Sequence, residues 1–292
     1  MQKKMLIFGF GYSATFIAKK LLNSDFLIVG TTRHHPNQEQ FSASSIQYID
    51  FDKISVEEHL STTTHVLIST PPSSSEGDPV LASFSDALKK SAPHIQWVGY
   101  LSSTGVYGDH QGNWVDETAA SMKLGTQGKL RLHAEQAWTC FARDHHLPLH
   151  IFRLAGIYGP QRNALEQLKA GKNQTIYKPE HYFSRIHVED IANVIHASIL
   201  KPNPFSIYNV ADNEPAPSYK IDEFAAQLLN RIPPPRVPFE QANLSPMAQE
   251  FYSHHRRVSN LKIKQELGVT LNYPSYRNGL MNEYLHLTKQ ST

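Results

Sequence analysis

The chain has one cysteine, no surplus of charge of one sign and no long apolar run. A lone Cys140 excludes an internal disulfide and fits a reducing compartment; nothing beside it would activate the thiol, so it reads as a packed helix residue. With 28 Lys and Arg against 26 Asp and Glu, the net charge of +2 provides no global field to draw nucleic acid or an anionic membrane surface. No stretch approaches the roughly 20 apolar residues of a membrane span. The run at residues 5–8 breaks at Gly9, too short for a signal-peptide core. A soluble, cytoplasmic protein with neither nucleic-acid nor membrane partner is the expectation. Internal repeats are absent, and the paired histidines (34–35, 145–146, 254–255) lack metal-ligand spacing, so no metal site is expected.

What is present is the composition of an ordinary globular protein, 40% hydrophobic and 18% charged over 292 residues, enough for one large domain or a domain with a smaller lobe. Short apolar runs of strand type recur at residues 5–8, 26–29, 46–49, 65–69, 97–102 and 149–153. Helix-length segments at 15–22, 80–90 and 130–143 lie among them. Such alternation implies a parallel sheet with right-handed crossovers. A polar, breaker-rich stretch at 71–79 follows the fourth strand, at the carboxyl edge where open α/β sheets bind ligands; a plain surface loop is the other reading. Beyond Pro160 the pattern predicts helices near 165–170, from 188 or 190 to 200, and within 258–268, with strands at 175–177 and 206–210.

Directly after the first strand stands Gly9-Phe10-Gly11-Tyr12-Ser13-Ala14, a G-x-G-x-x-A string opening a helix. In this context it reads as a dinucleotide-binding turn: Gly9 for the tight bend, Gly11 for approach of a pyrophosphate, Ala14 for helix–strand packing. The helix N-terminus adds free N–H groups and partial positive charge. The second strand ends at Thr32-Arg33 with no acidic residue to hold the ribose hydroxyls. Arg33 instead suits a 2′-phosphate, which favours NADP(H) over NAD(H); the alternative is a solvated surface charge.

Further segments complete the pattern: residues 100–109 with Ser102-Ser103-Thr104 and Val106-Tyr107-Gly108, then 114–117, then Arg153-Leu154-Ala155-Gly156-Ile157-Tyr158-Gly159-Pro160, then 185–192 and 208–212. In this order they resemble the extended short-chain dehydrogenase/reductase superfamily, which includes nucleotide-sugar epimerases, dehydratases and reductases, over nearly the whole chain. The resemblance implies a Rossmann-type doubly wound parallel α/β sheet with a smaller α/β C-terminal substrate lobe. The dinucleotide domain would span 1–165 and be rejoined by 183–211, leaving 166–182 and 212–292 to the lobe. Cofactor contacts implied are residues 9–14 together with Thr32, Arg33, Asp52, Ser69, Thr70, Pro71, Ser102, Arg131, Leu154 and Ala155. Ser103 matches the family's catalytic hydroxyl, with Thr104 beside it. Tyr107, Glu117, His187 and Arg257 would lie on the side of a small-molecule substrate such as a nucleotide-sugar, and a homodimer is the family's common arrangement.

One departure is decisive for the chemistry. The family's Tyr-x-x-x-Lys pair passes a proton to the substrate oxygen. Placing Glu135 on the glutamate that follows the family's lysine puts Arg131 at the lysine position and Gln127 at the tyrosine position. No tyrosine occurs between Tyr107 and Tyr158. A glutamine amide orients a carbonyl but delivers no proton, and arginine stays charged. The chain thus resembles the atypical members of the superfamily. Two functions remain open: an oxidoreductase, epimerase or dehydratase with Ser103, Thr104 and Gln127 orienting the reacting oxygen and Arg131 on the cofactor ribose, or a cofactor-binding sensor or scaffold without turnover. Tyr107, Tyr158, Asp116, Glu117 and His187 are the substitutes weighed for the missing acid, and the basic run 254–257 is a candidate for a substrate phosphate.

Overall fold

A computed structural model describes residues 2–32 and 46–290. In chain order its elements are β1 (Lys3–Phe8), α1 (Tyr12–Leu22), β2 (Phe26–Thr32), β3 (Ile46–Asp50), α2 (Lys53–Leu60), β4 (His65–Ile68), α3 (Pro79–Ser91), β5 (Trp97–Ser103), β6 (Trp114–Val115), α4 (Thr126–Asp144), β7 (Leu149–Leu154) and β8 (Gly156–Tyr158). There follow α5 (Ala164–Lys169), β9 (Thr175–Tyr177), β10 (Arg185–His187), α6 (Val188–Leu200), β11 (Ile207–Val210), α7 (Ser218–Leu228), β12 (Arg236–Pro238), α8 (Pro246–Ser253), β13 (Arg257–Val258), α9 (Leu261–Gln265) and α10 (Tyr276–Gln290).

Seven strands form one parallel sheet in the order β11-β7-β5-β4-β1-β2-β3. Residues 5–8 and 66–68 are wholly buried because helices cover both faces, so these strands read as unbroken apolar runs rather than alternating ones. On one face α1 and α6 pack with Ile17, Leu21, Ile191 and Ile195; on the other α2, α3 and α4 contribute Val56, Phe84, Leu88 and Trp138. The sheet runs outward from β1 to β3, then resumes at β4 on the other side of β1. That reversal opens a crevice at the carboxyl ends of β1 and β4.

The polar stretch after β4 is the loop its composition predicts: Ser73 and Gly77 pair in a tight turn, Asp78 accepts from Val80 and Leu81 N–H, and Pro79 opens α3. One local expectation changes. Cys140 is exposed rather than packed, because the buried stripe of α4 runs through Ala134, Glu135, Trp138 and Ala142 and position 140 lies off it.

A second, smaller apolar cluster joins Ala164, Leu165 and Leu168 of α5 to Ile221, Ala225 and Ala226 of α7 and Tyr276 and Leu280 of α10. The parallel pairs β9–β12, β8–β10 and β6–β13 lie outside the main sheet. Val258, Ile263 and Leu267 return to the large core. Buried Asp190 of α6 accepts from the N–H groups of Asn272 and Tyr273 and so ties the C-terminal segment to the sheet. Among the described residues no helix is long and apolar enough to cross a membrane.

Candidate active site

The turn after β1 is built by its glycines. Gly9 has φ +82, and a Cβ there would meet Thr70 Cγ2 at 2.8 Å, so only glycine fits. Its N–H donates to Thr31 Oγ1 at 3.0 Å, and Phe10 N–H to Thr31 O at 2.8 Å, pinning the turn to β2. Gly11 caps α1 with no side-chain acceptor, and a Cβ on it would touch nothing within 4 Å. The backbone therefore lies open to a cleft of about 670 Å³ at the carboxyl edge of the sheet. Its walls include residues 9–13, Thr31, Thr32, Ser69, Thr70, Pro71, Ser102, Ser103, Arg131, Leu154 and Ala155. Ala14 is fully buried and packs α1 on the sheet. Open backbone at Gly11 and the uncapped first turn of α1 fit a phosphate-bearing dinucleotide.

A second cleft of about 430 Å³ shares Ser103, Leu154, Ala155 and Gly156 with the first. Thr104 and Gln127 form part of its wall, and Tyr182, Glu250, His254 and Arg256 line it from segments remote in sequence. Ser103 Oγ accepts from Gly105 N–H at 3.0 Å, which fixes the side chain and leaves its own proton to donate. Gln127 and Arg131 stand one turn apart on α4. The first faces the smaller cleft and the second the larger, where Arg131 Nη1 donates to Leu101 O at 2.8 Å. Glu250 reaches the start of the same helix: a Cβ on Gly125 would lie 2.0 Å from Glu250 Oε1, so a side chain there would displace the Glu250 carboxylate.

Beneath this floor runs a buried polar chain across three strands. Ser102 Oγ donates to Glu135 Oε1 at 2.5 Å, and Arg153 pairs with Glu135 through Nη2 at 2.7 Å and Nε at 3.1 Å. The Arg153 guanidinium lies 4.8 Å from the Tyr107 ring centroid; Tyr107 Oη donates to Asn209 Oδ1 at 2.7 Å, and Asn209 N–H to Glu117 Oε1 at 2.7 Å.

This network removes two expected substrate contacts. Tyr107 is fully buried, with burial raising its phenol pKa, and Glu117 turns inward to β11; neither lines a cleft. His187 is likewise fully buried: Nδ1 accepts from Glu189 N–H at the start of α6, and Nε2 lies 3.2 Å from Glu283 Oε1. Tyr158 is buried too, its Oη donating to Ser275 O at 3.3 Å. Arg257 donates to Gly112 O at 2.7 Å between the Trp114 and Tyr182 rings, away from the cleft. Its neighbour Arg256, just before β13, enters instead, and Val258 two residues on lines the same cleft. Burial lowers the Arg256 pKa to about 10, still cationic at neutrality, and its Nη1 donates to Gly108 O at 2.8 Å. Asp52 caps α2 through Ile54 and Ser55 N–H, while Phe51 beside it lines the larger cleft. Arg33 and the pair His34-His35 lie outside the described residues.

The sequence reading missed Tyr182, Glu250 and Arg162; His254 and Arg256 belong to the basic run 254–257 that it weighed for a substrate phosphate, and both line the smaller cleft. Of the three missed, only Arg162 carried a usable signal, its proximity to the Gly159-Pro160 turn; it lines the larger cleft.

No protein-family model and no curated protein matches the chain. Among solved structures it is similar to a conserved protein of unknown function from Silicibacter pomeroyi, with 45% identity, a TM-score of 0.90, and coverage of 97% of this chain and 99% of that one. It is similar in fold to a dTDP-glucose 4,6-dehydratase from Bacillus anthracis in complex with NAD, with 16% identity, a TM-score of 0.79, and coverage of 99% and 97%. A UDP-glucuronic acid 4-epimerase from Bacillus cereus in complex with NAD gives 16% identity, a TM-score of 0.76, and coverage of 99% and 100%. The chain therefore belongs to one family with the Silicibacter pomeroyi protein, on the fold of the extended short-chain dehydrogenase/reductase superfamily.

Proposed function

We propose that the protein binds a pyridine dinucleotide in the larger cleft and uses it on a small nucleotide-sugar-like substrate in the smaller one, as an epimerase, dehydratase or reductase. The observation that carries this reading is the meeting of the two clefts at Ser103 and residues 154–156, beside backbone left open at Gly11. Structures on the same fold hold NAD, and another holds UDP-glucose with NAD. Hydride transfer is the chemistry such a cofactor supplies when bound.

The residues 9–13, Thr32, Ser69, Thr70, Pro71, Ser102, Arg131, Leu154 and Ala155 would hold the dinucleotide. Ser103 donates a hydrogen bond to the reacting oxygen and Gln127 orients it. Neither group carries a proton away at neutral pH. The side chains of the smaller cleft able to exchange one are Tyr182, Glu250 and His254, which approach from residues 182–254 rather than from α4. Arg256 offers a cation to a substrate phosphate. Arg33 favours NADP(H).

Gln127 at the tyrosine position supports a second reading, a cofactor-binding sensor or scaffold without turnover. Thermal shift with NADPH, NADP, NADH and NAD on wild type and Arg33→Ala, followed by turnover of UDP- and dTDP-sugars by wild type and Ser103→Ala, separates the readings. Cofactor-dependent turnover lost in Ser103→Ala supports the enzyme. Stabilisation by dinucleotide with no turnover of any sugar supports the sensor. No shift with any dinucleotide sinks both.

A further inference from the structure

The wall of the larger cleft facing α1 ends in a short, heavily braced turn that the dinucleotide reading leaves unexplained. Gly159 and Arg162 pair through two backbone hydrogen bonds, Gly159 N–H to Arg162 O at 3.1 Å and Arg162 N–H to Gly159 O at 3.0 Å. Asn163, 5% exposed, donates from Nδ2 to Gly159 O at 2.9 Å while its Oδ1 accepts from Glu166 N–H to start α5. A Cβ on Gly159, at φ +155, would meet Val188 Cγ1 at 2.8 Å and Tyr12 Oη at 2.9 Å. The turn therefore sits hard against the first turn of α1. Tyr12 fastens it there, donating from Oη to Pro160 O at 2.9 Å.

On this platform the Arg162 guanidinium stands 5.5 Å from the Tyr12 ring centroid, and both residues line the larger cleft. The side chain is exposed, and no carboxylate pairs with it among the described residues. A guanidinium held over an aromatic ring keeps its N–H edges free for a planar or tetrahedral oxyanion. The same cleft is lined by the open backbone at Gly11 and the uncapped N-terminus of α1, which favour the same anion.

We infer that Arg162 is a pyrophosphate clamp: it closes on the bridging phosphates of the dinucleotide from beside the first turn of α1, with Tyr12 as the plate that aims it. This rests on the dinucleotide reading above. The same phosphate chemistry is present in a nucleotide-sugar substrate. Arg162 is assigned to the dinucleotide because it lines the cleft of the Gly9–Gly11 turn and is absent from the wall of the smaller cleft, where Arg256 stands.

The test is titration calorimetry of wild type, Arg162→Ala, Arg162→Gln and Arg162→Lys with NAD, NADP and UDP-glucose, with the unliganded melting temperature of each recorded first. Removing a charge-assisted contact should weaken both dinucleotides about tenfold or more. Lysine should recover part of the loss because it keeps the charge but not the fork. The variants should melt as wild type does, and UDP-glucose binding should not change. Wild-type dinucleotide affinity in Arg162→Ala and Arg162→Gln overturns the clamp and leaves the dinucleotide reading standing. A loss confined to UDP-glucose overturns it in favour of a substrate contact. Failure of wild type itself to bind either dinucleotide removes the reading beneath it, and the clamp with it.

Discussion

Gly9 and Gly11 share one turn, yet the structure demands glycine at each for a different reason, and substitution by alanine should separate them. At Gly9 a side chain must adopt φ +82 and push into Thr70, whose backbone N lies 3.0 Å from the Cβ position. The left-handed conformation costs about 1–2 kcal/mol and overpacking about 1–3 kcal/mol more. With an unfolding entropy of ~2.1 cal/mol/K per residue over 292 residues, 1 kcal/mol corresponds to about 1.6 °C. Gly9→Ala should therefore lower the melting temperature by about 3–8 °C without any ligand. At Gly11 the φ is −111 and the Cβ meets no atom within 4 Å, so Gly11→Ala should fold within about 0.5 kcal/mol of wild type. What it should lose is the ligand. A wild-type protein at a dinucleotide concentration about 100 times Kd gains about 2.7 kcal/mol, or about 4 °C, and Gly11→Ala should gain none because the methyl group occupies the phosphate's approach. Scanning fluorimetry of both variants with and without NADP and NAD measures this. A full ligand shift in Gly11→Ala, or an unliganded loss as large as that of Gly9→Ala, would refute the reasoning.

Two further perturbations probe what lies under the site and in the core. Glu135→Gln leaves the 7% exposed Arg153 cation without its counter-charge and should cost about 3–5 kcal/mol, a drop of roughly 5–8 °C in thermal unfolding. The double change Glu135→Gln with Arg153→Met should recover most of it, and a single-variant drop under about 2 °C would show that the pair is not holding the floor. Burial pushes the His65, His150 and His181 pKa values down to about 4 from 6.5, so each stays neutral in the folded state while the unfolded chain takes up a proton. Their stabilising neutrality is complete above pH 6.5 and is lost as pH falls towards 4, on the order of 2 kcal/mol per histidine by about pH 5. His150→Gln should flatten the loss of stability between about pH 7 and 5 by about that amount; a slope equal to wild type in denaturant unfolding would count against the assignment.

The sheet was legible because burial on both faces forces apolar runs that no surface pressure dilutes: residues 5–8 and 66–68 show it in the letters alone. The glycine turn after β1 was legible because its glycines answer to local geometry. The helices α7, α8 and α10 were not. Helix α10 carries Asn278-Gly279 near its start, a pair that reads as a break, yet Gly279 is there because a Cβ would lie 2.2 Å from Tyr158 Oη. Packing from a residue far away in the chain overrides the local preference.

The site divides along the same line. Residues 9–13, Ser103, Gln127 and Arg131 sit at the ends of strands or the starts of helices, where the sheet's order fixes their direction, and their place at a cleft follows from the topology. Tyr107 and His187 were misplaced because a motif gives a residue's address along the chain but not which way its side chain turns. Tyr107 turns inward to satisfy Asn209, and His187 turns inward to cap α6 and meet Glu283. Tyr182 and Glu250 were out of reach for the opposite reason: they join residues 103–128 at the smaller cleft only through a loop and α8 remote in sequence, whereas the basic run 254–257 already pointed to His254 and Arg256. Helix α4 carries no tyrosine, and the phenol, carboxylate and imidazole of the smaller cleft come instead from Tyr182, Glu250 and His254.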